Sequence, residues 1–228
     1  MLGNIDCMHW EWKNYPVAYK GQYTRGDHKK PTIMLEAVAS YALWIWHAFF
    51  GMAGSNNDIN VLNHSPVFDA LKKVTTPSAP FEVNGHQYTK GYYLADGMYP
   101  YWATLIKGML CPTDEPRIKF TRFQASARKD IERDFGVLQG RFHILSQPSR
   151  TLKANKMRRV MECCLILYNM ILEDNDFALC KWKERFITEE RANRAYRVRN
   201  RGRDQDVVTR EIRDRADDQL TEDLIEHI

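Results

Sequence analysis

Four carboxylates stand where their surroundings suggest chemistry. Asp6 lies inside a short apolar segment at the start of the chain, and Asp96 ends another such segment. A charge at the end of a buried strand is costly unless it is paired or bound to a metal. Asp58 follows two further apolar segments, and Glu132 belongs to a helical pattern later in the chain. These four residues are therefore candidates for binding a divalent cation.

Each candidate also has a simpler interpretation. Asp96 precedes a glycine, as many turn residues do. Asp58 could be a helix N-cap. Glu132 could be a solvated helix residue beside Lys129 and Arg133. Taken singly, Asp58 and Glu132 are better explained in this way, whereas the two interpretations of Asp6 and of Asp96 are equally good.

The sequence lacks the motifs of several common enzyme classes. It contains no GxGxxG, Walker A, GxSxG or HExxH motif, and its histidines and cysteines form no cluster at zinc spacing. His9, His47 and His86 are interpreted as structural or surface residues. The five cysteines lack CxxC spacing and are expected to be reduced thiols.

Apolar patterning predicts the elements that carry the carboxylates. Short runs rich in β-branched and aromatic residues predict strands at 2–7, 33–40, 42–50 and 91–95. A helix is predicted after Asn57 and Asp58. Two longer helices are predicted, one from near Phe123 and one over 156–172, because apolar residues recur there at helical spacing.

The order of the carboxylates along these elements favours a shared site. Ligands of open α/β sheets gather at the carboxyl ends of adjacent parallel strands. If the first and fourth strands are neighbours, Asp6 and Asp96 converge, and a helix crossing that edge can add Glu132. Carboxylates without accompanying His, Lys or Cys suit hard divalent cations. Two such ions roughly 4 Å apart can drive phosphodiester cleavage or transfer, which is the chemistry that the pattern predicts.

Several segments occur here in the order of one known family. They are GNIDCMHWEWKNYP, KKPTIMLEAVAS, LWIWHAFFGMAGSNNDINVL, YYLADGMYP and ARKDIERDFGVLQGRF. They resemble the DDE endonuclease domain of plant PIF/Harbinger-type transposases and their domesticated nuclease-like relatives, from residue 1 to about residue 175. The resemblance implies an α/β, ribonuclease H-like fold, in which helices flank a mixed five-stranded sheet.

The same resemblance implies roles for the acidic residues. Those of the IDC, SNND, LADGMYP and IERDFG motifs bind Mg²⁺ or Mn²⁺ in the family and correspond here to Asp6, Asp58, Asp96 and Glu132. Asp6, Asp96 and Glu132 are the implied catalytic residues, and 35 residues separate the last two, the interval of the wider DDE group. DNA is the implied substrate. A Myb-like DNA-binding accessory protein or a chromatin complex is the implied partner, and the nucleus, with the cytoplasm second, is the implied location.

Two features depart from the family pattern. The segment CCLILYNMILED resembles a helix that usually reads LHNM, so Tyr168 stands where His is expected. A Tyr keeps the packing but not the hydrogen bond or charge of a His. Family members usually carry a helix-turn-helix-like region before the first catalytic strand. Because that strand begins this chain, we expect the DNA-reading region to be missing.

Basic residues near Glu132 are candidates for contact with DNA phosphates, which is sequence-independent and salt-sensitive. They are Arg117, Lys119, Arg122, Arg128 and Lys129. A second basic cluster either contacts phosphates or is a solvated face, and consists of Arg150, Lys153, Lys156, Arg158 and Arg159. Trp10 and Trp12 are predicted to pack in the core rather than stack on bases.

Charge divides the chain into a body and a tail. The net charge is +4, but 181–203 carries nine basic and three acidic residues and 204–228 carries three basic and nine acidic ones. We expect an endonuclease domain over 1–175 and a charge-segregated, partly helical and poorly packed tail over 176–228. With 44% hydrophobic residues the body can form a core, and no apolar run reaches the roughly 18 residues that a membrane span needs.

Two functions from different classes fit these observations. The first is a transposase-derived, metal-dependent DNA endonuclease. The second is a catalytically silent, domesticated domain that acts as a nuclear protein-interaction scaffold. The intact carboxylates favour the first, whereas Tyr168 and the missing DNA-reading region favour the second.

Overall fold

The computed structural model describes residues 1–26, 29–69, 78–175 and 216–227. The strands are β1 (Gly3–Glu11), β2 (Thr32–Ala39), β3 (Ile45–Ala53), β4 (Phe81–Val83), β5 (His86–Tyr88), β6 (Tyr93–Leu94) and β7 (Leu105–Ile106). The helices are α1 (Lys20–Tyr23), α2 (Asp58–His64), α3 (Glu115–Arg141), α4 (His143–Ser146), α5 (Ala154–Asp174) and α6 (Ala216–His227). Single 3₁₀ turns, Val17–Tyr19 and Pro66–Phe68, precede α1 and follow α2.

Five of these strands form one mixed sheet in the order β3-β2-β1-β6-β7. Strands β1, β2 and β3 are antiparallel neighbours, while β6 runs parallel to β1 and β7 runs parallel to β6. The two remaining strands, β4 and β5, pair as a separate hairpin. The predicted α/β class and mixed five-stranded sheet are confirmed, and this architecture is consistent with the ribonuclease H-like fold.

Burial explains why the central strands β1 and β2 are rich in apolar and aromatic residues. Strand β2 is buried along its whole length, and it is apolar at almost every position because both faces of the sheet are covered there. Trp10 in β1 and Trp12 just beyond it are each 2% exposed. Their indole N–H groups donate to the carbonyl oxygens of Gln147 and Thr151, at 2.9 and 2.7 Å. The prediction that both tryptophans are core residues is confirmed.

Helices cover both faces of the sheet. On one face, α3 and α5 pack against β1, β2 and β3, with Ile131 and Leu138 of α3 in the shared core. On the other face, Leu62 of α2 and Phe68 of the following turn pack against Ile5 of β1. The candidate carboxylates therefore belong to elements from both layers as well as from the sheet itself.

A third cluster joins the hairpin and α6 to the body. Leu220 and Ile225 of α6 pack with Leu94, Ile106 and Phe120. The predicted poor packing of the tail is therefore wrong for α6, because leucine and isoleucine at helical spacing give this acidic segment one apolar face. The basic part of the predicted tail, 181–203, lies outside the described residues.

Helix α3 begins at Glu115, earlier than the predicted start near Phe123. Asp114 is its N-cap and accepts the N–H of Arg117 at 2.9 Å. The adjacent Pro116 does not break the helix, because it lies in the first turn, where backbone N–H groups have no partner within the helix.

Strand β3 begins at Ile45, three residues later than predicted. Between it and β2 the chain makes a tight turn, in which the Leu43 N–H donates to the Ser40 carbonyl at 3.0 Å and Leu43 has a φ of 63°. Nothing in an apolar run such as YALW indicates a turn, and the predicted start of β3 is therefore wrong.

Among the described residues, no helix combines the length and the apolar composition that crossing a membrane requires.

Candidate functional site

Parallel pairing of β1 and β6 places two of the candidate aspartates at one level of the sheet. The last paired residues are Asn4 and Leu94, and two positions further along each strand stand Asp6 and Asp96. Beyond β6 the chain turns, and the Met98 N–H donates to Asp96 Oδ1 at 2.7 Å. The turn interpretation of Asp96 is thus confirmed, but this bond uses only one of its two oxygens.

Arg128 connects Asp6 to Glu132. One guanidinium nitrogen, Nη1, lies 3.1 Å from Asp6 Oδ2, and the other, Nη2, lies 3.0 Å from Glu132 Oε1. The second pair joins residues one helical turn apart on α3. Asp6 is mostly buried, whereas the Glu132 side chain is 50% exposed. Glu132 therefore shares the Arg128 guanidinium with Asp6, at an exposed position beside the apolar stripe of α3.

Asp58 stands at the N-terminus of α2 but does not cap it. The side chain of Asn57 accepts the Asn60 N–H at 2.8 Å and is the N-cap. The N-cap interpretation of Asp58 is therefore wrong. The chain reaches α2 by a close turn over β2 at Gly54, where any Cβ would collide with the side chain of Thr32.

Electrostatics tie Asp6 to the other aspartates. The pKa of Asp6 is raised to about 6, mainly by burial and to a smaller extent by the negative charges of Asp58 and Asp96. The Cys7 N–H, which donates to Asp6 Oδ1 at 2.8 Å, and the Arg128 guanidinium act in the opposite direction. The Asp6 carboxylate thus lies in a partly desolvated region that holds other negative charge.

Asp58 lies in the same electrostatic environment. Burial raises its pKa, the charge of Asp96 raises it further, and Arg25 and a hydrogen bond with Cys7 lower it. The Cys7 sulfur lies 3.7 Å from the Tyr99 hydroxyl. Sequence reasoning missed these neighbours. Cys7 and Tyr99 stand within the motifs IDC and LADGMYP and could have been found there, whereas Arg25 carries no such signal.

The donor chemistry of this cluster fits a hard divalent cation. Asp6, Asp58 and Asp96 supply carboxylate oxygens, and a cation would relieve the repulsion that contributes to the raised pKa values of Asp6 and Asp58. In the described part of the chain, however, no three His, Cys, Asp or Glu side chains are arranged closely enough to hold a metal ion. Positive charge between Asp6 and Glu132 comes instead from Arg128.

The predicted phosphate-contacting residues differ in their surroundings. Arg128 is held by Asp6 and Glu132, and Arg117 is paired with Asp114 and, at 2.7 Å, with Glu222 of α6. The other three residues are exposed on α3, namely Lys119, Arg122 and Lys129. These three are the better candidates for contact with a DNA backbone.

The second basic cluster lies away from the carboxylates. Its five members are exposed at the start of α5 and in the loop before it. A cleft of about 740 Å³ lies in the same part of the molecule, and Trp10, Lys13, Arg150 and Val160 contribute to its walls. None of the candidate carboxylates lines this cleft, so it does not belong to the candidate metal site.

Tyr168, which stands where the resemblance expects His, is buried and bonded to α3. Its hydroxyl donates to Asp134 Oδ1 at 3.1 Å. Burial outweighs the lowering effects of the Tyr168 hydrogen bond and of Arg133, and the pKa of Asp134 is raised to about 8. Asp134 Oδ2 has no hydrogen-bond partner among the described residues. Tyr168 thus makes a side-chain hydrogen bond between α5 and α3.

Comparison with known proteins gives one family. No curated protein and no solved structure matches the chain significantly. The family model described as "Plant transposon protein" matches residues 1–178, which include the four candidate carboxylates, Arg128 and Tyr168. Because this match covers well over half of the sequence, the chain belongs to the plant transposon protein family.

Proposed function

We propose that this protein is a transposase-derived, divalent-metal-dependent DNA endonuclease of the PIF/Harbinger DDE type. The observation that carries the proposal is the shared electrostatic environment of Asp6, Asp58 and Asp96, in a chain of the plant transposon protein family. Mutual repulsion between partly buried carboxylates destabilises a folded protein, and a bound cation would offset that repulsion.

In this proposal Asp6, Asp58, Asp96 and Glu132 hold Mg²⁺ or Mn²⁺. When bound, the cation supplies Lewis acidity toward the oxygens of the phosphodiester. Since the pKa of Asp6 is about 6, its carboxylate is mostly ionised at neutral pH and available as a ligand. Arg128 must release Asp6 or Glu132 before both can bind the same ion. Lys119, Arg122 and Lys129 would contact the DNA phosphates from α3.

A nicking assay on supercoiled plasmid at low salt tests the proposal with the purified full chain. We expect nicking that requires Mg²⁺ or Mn²⁺, is lost in Asp96→Asn, and persists in Asp130→Asn, whose carboxylate pairs with Arg133 instead. Calorimetric titration with Mn²⁺ alone should show binding that Asp96→Asn weakens. Absence of both cleavage and Mn²⁺ binding, under conditions where a full-length relative cuts, would contradict the proposal.

A catalytically silent nuclear scaffold is the second candidate. The observation that favours it is the Arg128 bridge, because Asp6 and Glu132 are already paired with a cationic side chain of the protein itself. Its partner would be a Myb-like DNA-binding protein or a chromatin complex. Affinity purification from plant nuclei should then recover a stable partner equally well with the wild type and with Asp96→Asn. An association that is lost in Asp96→Asn would contradict a silent role.

A further inference from the structure

Helix α5 is apolar on the face that points away from the sheet as well as on the face that packs. Its buried side chains include Met161, Leu165 and Tyr168. A second apolar set is exposed, with spacings that place its members on one side of the helix, and consists of Cys163, Ile166, Leu167 and Met170. Ile166 is 62% exposed and Met170 is 56% exposed. We call these four residues the α5 stripe.

A helix that is apolar on all sides is normally covered on all sides. In the α5 stripe, three large apolar side chains and a cysteine remain in contact with solvent within two turns of helix. Isolated exposed apolar residues need no explanation, but a contiguous row of them indicates an interaction surface.

Charges of opposite sign stand at the two ends of the α5 stripe. Arg159 precedes Cys163 by four residues, and Asp174 follows Met170 by four residues, so both lie in line with the stripe. Both are exposed. Among the remaining exposed charges, Lys156 and Arg158 lie toward the N-terminus of α5 and Glu173 lies toward its C-terminus, while Glu162 is an acidic exception in the N-terminal half. The two charges in line with the stripe, Arg159 and Asp174, are therefore complementary to each other when the surface is turned end for end.

We propose that the α5 stripe binds the α5 stripe of a second copy of this chain, with the two helices antiparallel. A two-fold axis between Ile166 and Leu167 sets Ile166 of each copy opposite Leu167 of the other copy. The same symmetry sets Cys163 opposite Met170. It also sets Arg159 opposite Asp174 at both ends of the contact.

Charge excludes the parallel alternative. A parallel pair in register would set Arg159 against Arg159 and Asp174 against Asp174, and like charges at such a contact repel. The antiparallel pair replaces these with two opposite-charge contacts and also opposes the two helix dipoles. The stripe is smaller than the roughly 800 Å² per partner of a standard interface, so the dimer dissociates in about the micromolar range. This association does not depend on the proposed nuclease activity.

Sedimentation equilibrium of the full chain over a range of concentrations tests the proposal. The wild type should show a reversible monomer–dimer equilibrium. Ile166→Glu should weaken dimerisation by about tenfold or more, because it buries a charge at the two-fold axis. Ile144→Glu is the matched control, since Ile144 is 53% exposed on α4, and it should leave the equilibrium unchanged. Thermal melts at concentrations where the wild type is monomeric should be unchanged in both variants.

Charge reversal tests the antiparallel orientation. Arg159→Glu alone and Asp174→Arg alone should each weaken the dimer by about fivefold, because each change converts two symmetric attractions into repulsions. The double variant should restore the wild-type equilibrium. A double variant that dimerises no better than the single ones would overturn the proposal. A wild type that remains monomeric throughout, with the stripe covered by its own chain or by another protein, would overturn it as well.

Discussion

Burial is the main cause of the raised pKa of both Asp6 and Asp134, yet the surroundings of these two residues differ. Asp6 lies in β1, the central strand of the sheet, beside Arg128 and near two other carboxylates. Asp134 lies between α3 and α5, where Tyr168 is its hydrogen-bond donor. A raised pKa alone therefore does not mark a functional residue, and the charged neighbours make Asp6 the candidate.

Asp134 should make the stability of the protein depend on pH. The folded chain keeps this proton up to about pH 8, whereas an unfolded Asp loses it near its ordinary pKa of 3.8. Between these values the folded state binds more protons, so the free energy of unfolding falls as the pH rises. The stabilisation that Asp134 contributes is complete below its unfolded pKa of 3.8, and it is lost as the pH rises through its folded pKa of about 8. The expected slope is about 1 kcal/mol per pH unit.

Asp134→Asn should remove this slope, because an amide does not ionise and its oxygen can still accept the Tyr168 hydroxyl. Denaturant unfolding between about pH 5 and about pH 8 measures it. The exposed Glu226→Gln on α6 is the control and should keep the wild-type slope. An Asp134→Asn variant with an undiminished slope would show that other groups are responsible.

Among the elements, α2 depends most on local sequence. It has seven residues, too few for a helix to be stable on its own, and it buries only Val61 and Leu62. Its N-terminus is fixed by Asn57, and the next residue is Asp58 of the candidate site. The cap therefore stabilises the helix and also positions the aspartate.

Asn57→Ala should lower the free energy of unfolding by about 1 kcal/mol, the usual cost of a lost N-cap. Asn60→Ala is the matched control. Asn60 contributes only its backbone N–H to the cap, so its effect should stay within about 0.5 kcal/mol. Equal effects of the two substitutions in chemical denaturation would argue against the capping role.

At the scale of the whole molecule, the acidic C-terminal helix is part of the packed body. Helix α6 makes polar contacts in addition to its apolar ones. Its Asp223 accepts hydrogen bonds from Tyr88 and, at 2.8 Å, from His86 in the hairpin. Glu222 pairs with Arg117 of α3. Helix α6 therefore links the hairpin to the helix that bears Glu132 and neutralises part of the positive charge of that helix.

Leu220→Ala should loosen α6 and the hairpin before the rest of the molecule. Leu220 is 2% exposed in a small cluster, and truncating a buried leucine costs about 2 to 5 kcal/mol. Hydrogen exchange measured by mass spectrometry should show faster exchange in α6 and in the β4–β5 hairpin, with β1 to β3 unchanged. Leu152→Ala, at a residue 75% exposed, is the control. Uniform acceleration throughout the sheet would contradict a local role.

The periodic spacing of apolar residues in the sequence predicted several of the strands and helices. The strands β1 to β3, the helix after Asn57 and the helix α5 were found because their apolar residues recur at strand or helix spacing. The same spacing did not predict the start of α3, the turn at Leu43 or the packing of α6. Each depends on a cap, a backbone angle or an apolar face that is completed only by a distant segment.

The sequence by itself determined which carboxylates could act, their order along the chain, and the central strands and helices that carry them. The tertiary structure decided which side chains lie next to these carboxylates. It set Arg128 between Asp6 and Glu132, assigned the N-cap to Asn57 rather than Asp58, and bonded Tyr168 to Asp134. The physical reason is that charges and hydrogen bonds act over a few ångströms in space. Asp6 and Arg128 meet that condition across 122 positions of sequence, a separation that no local pattern encodes.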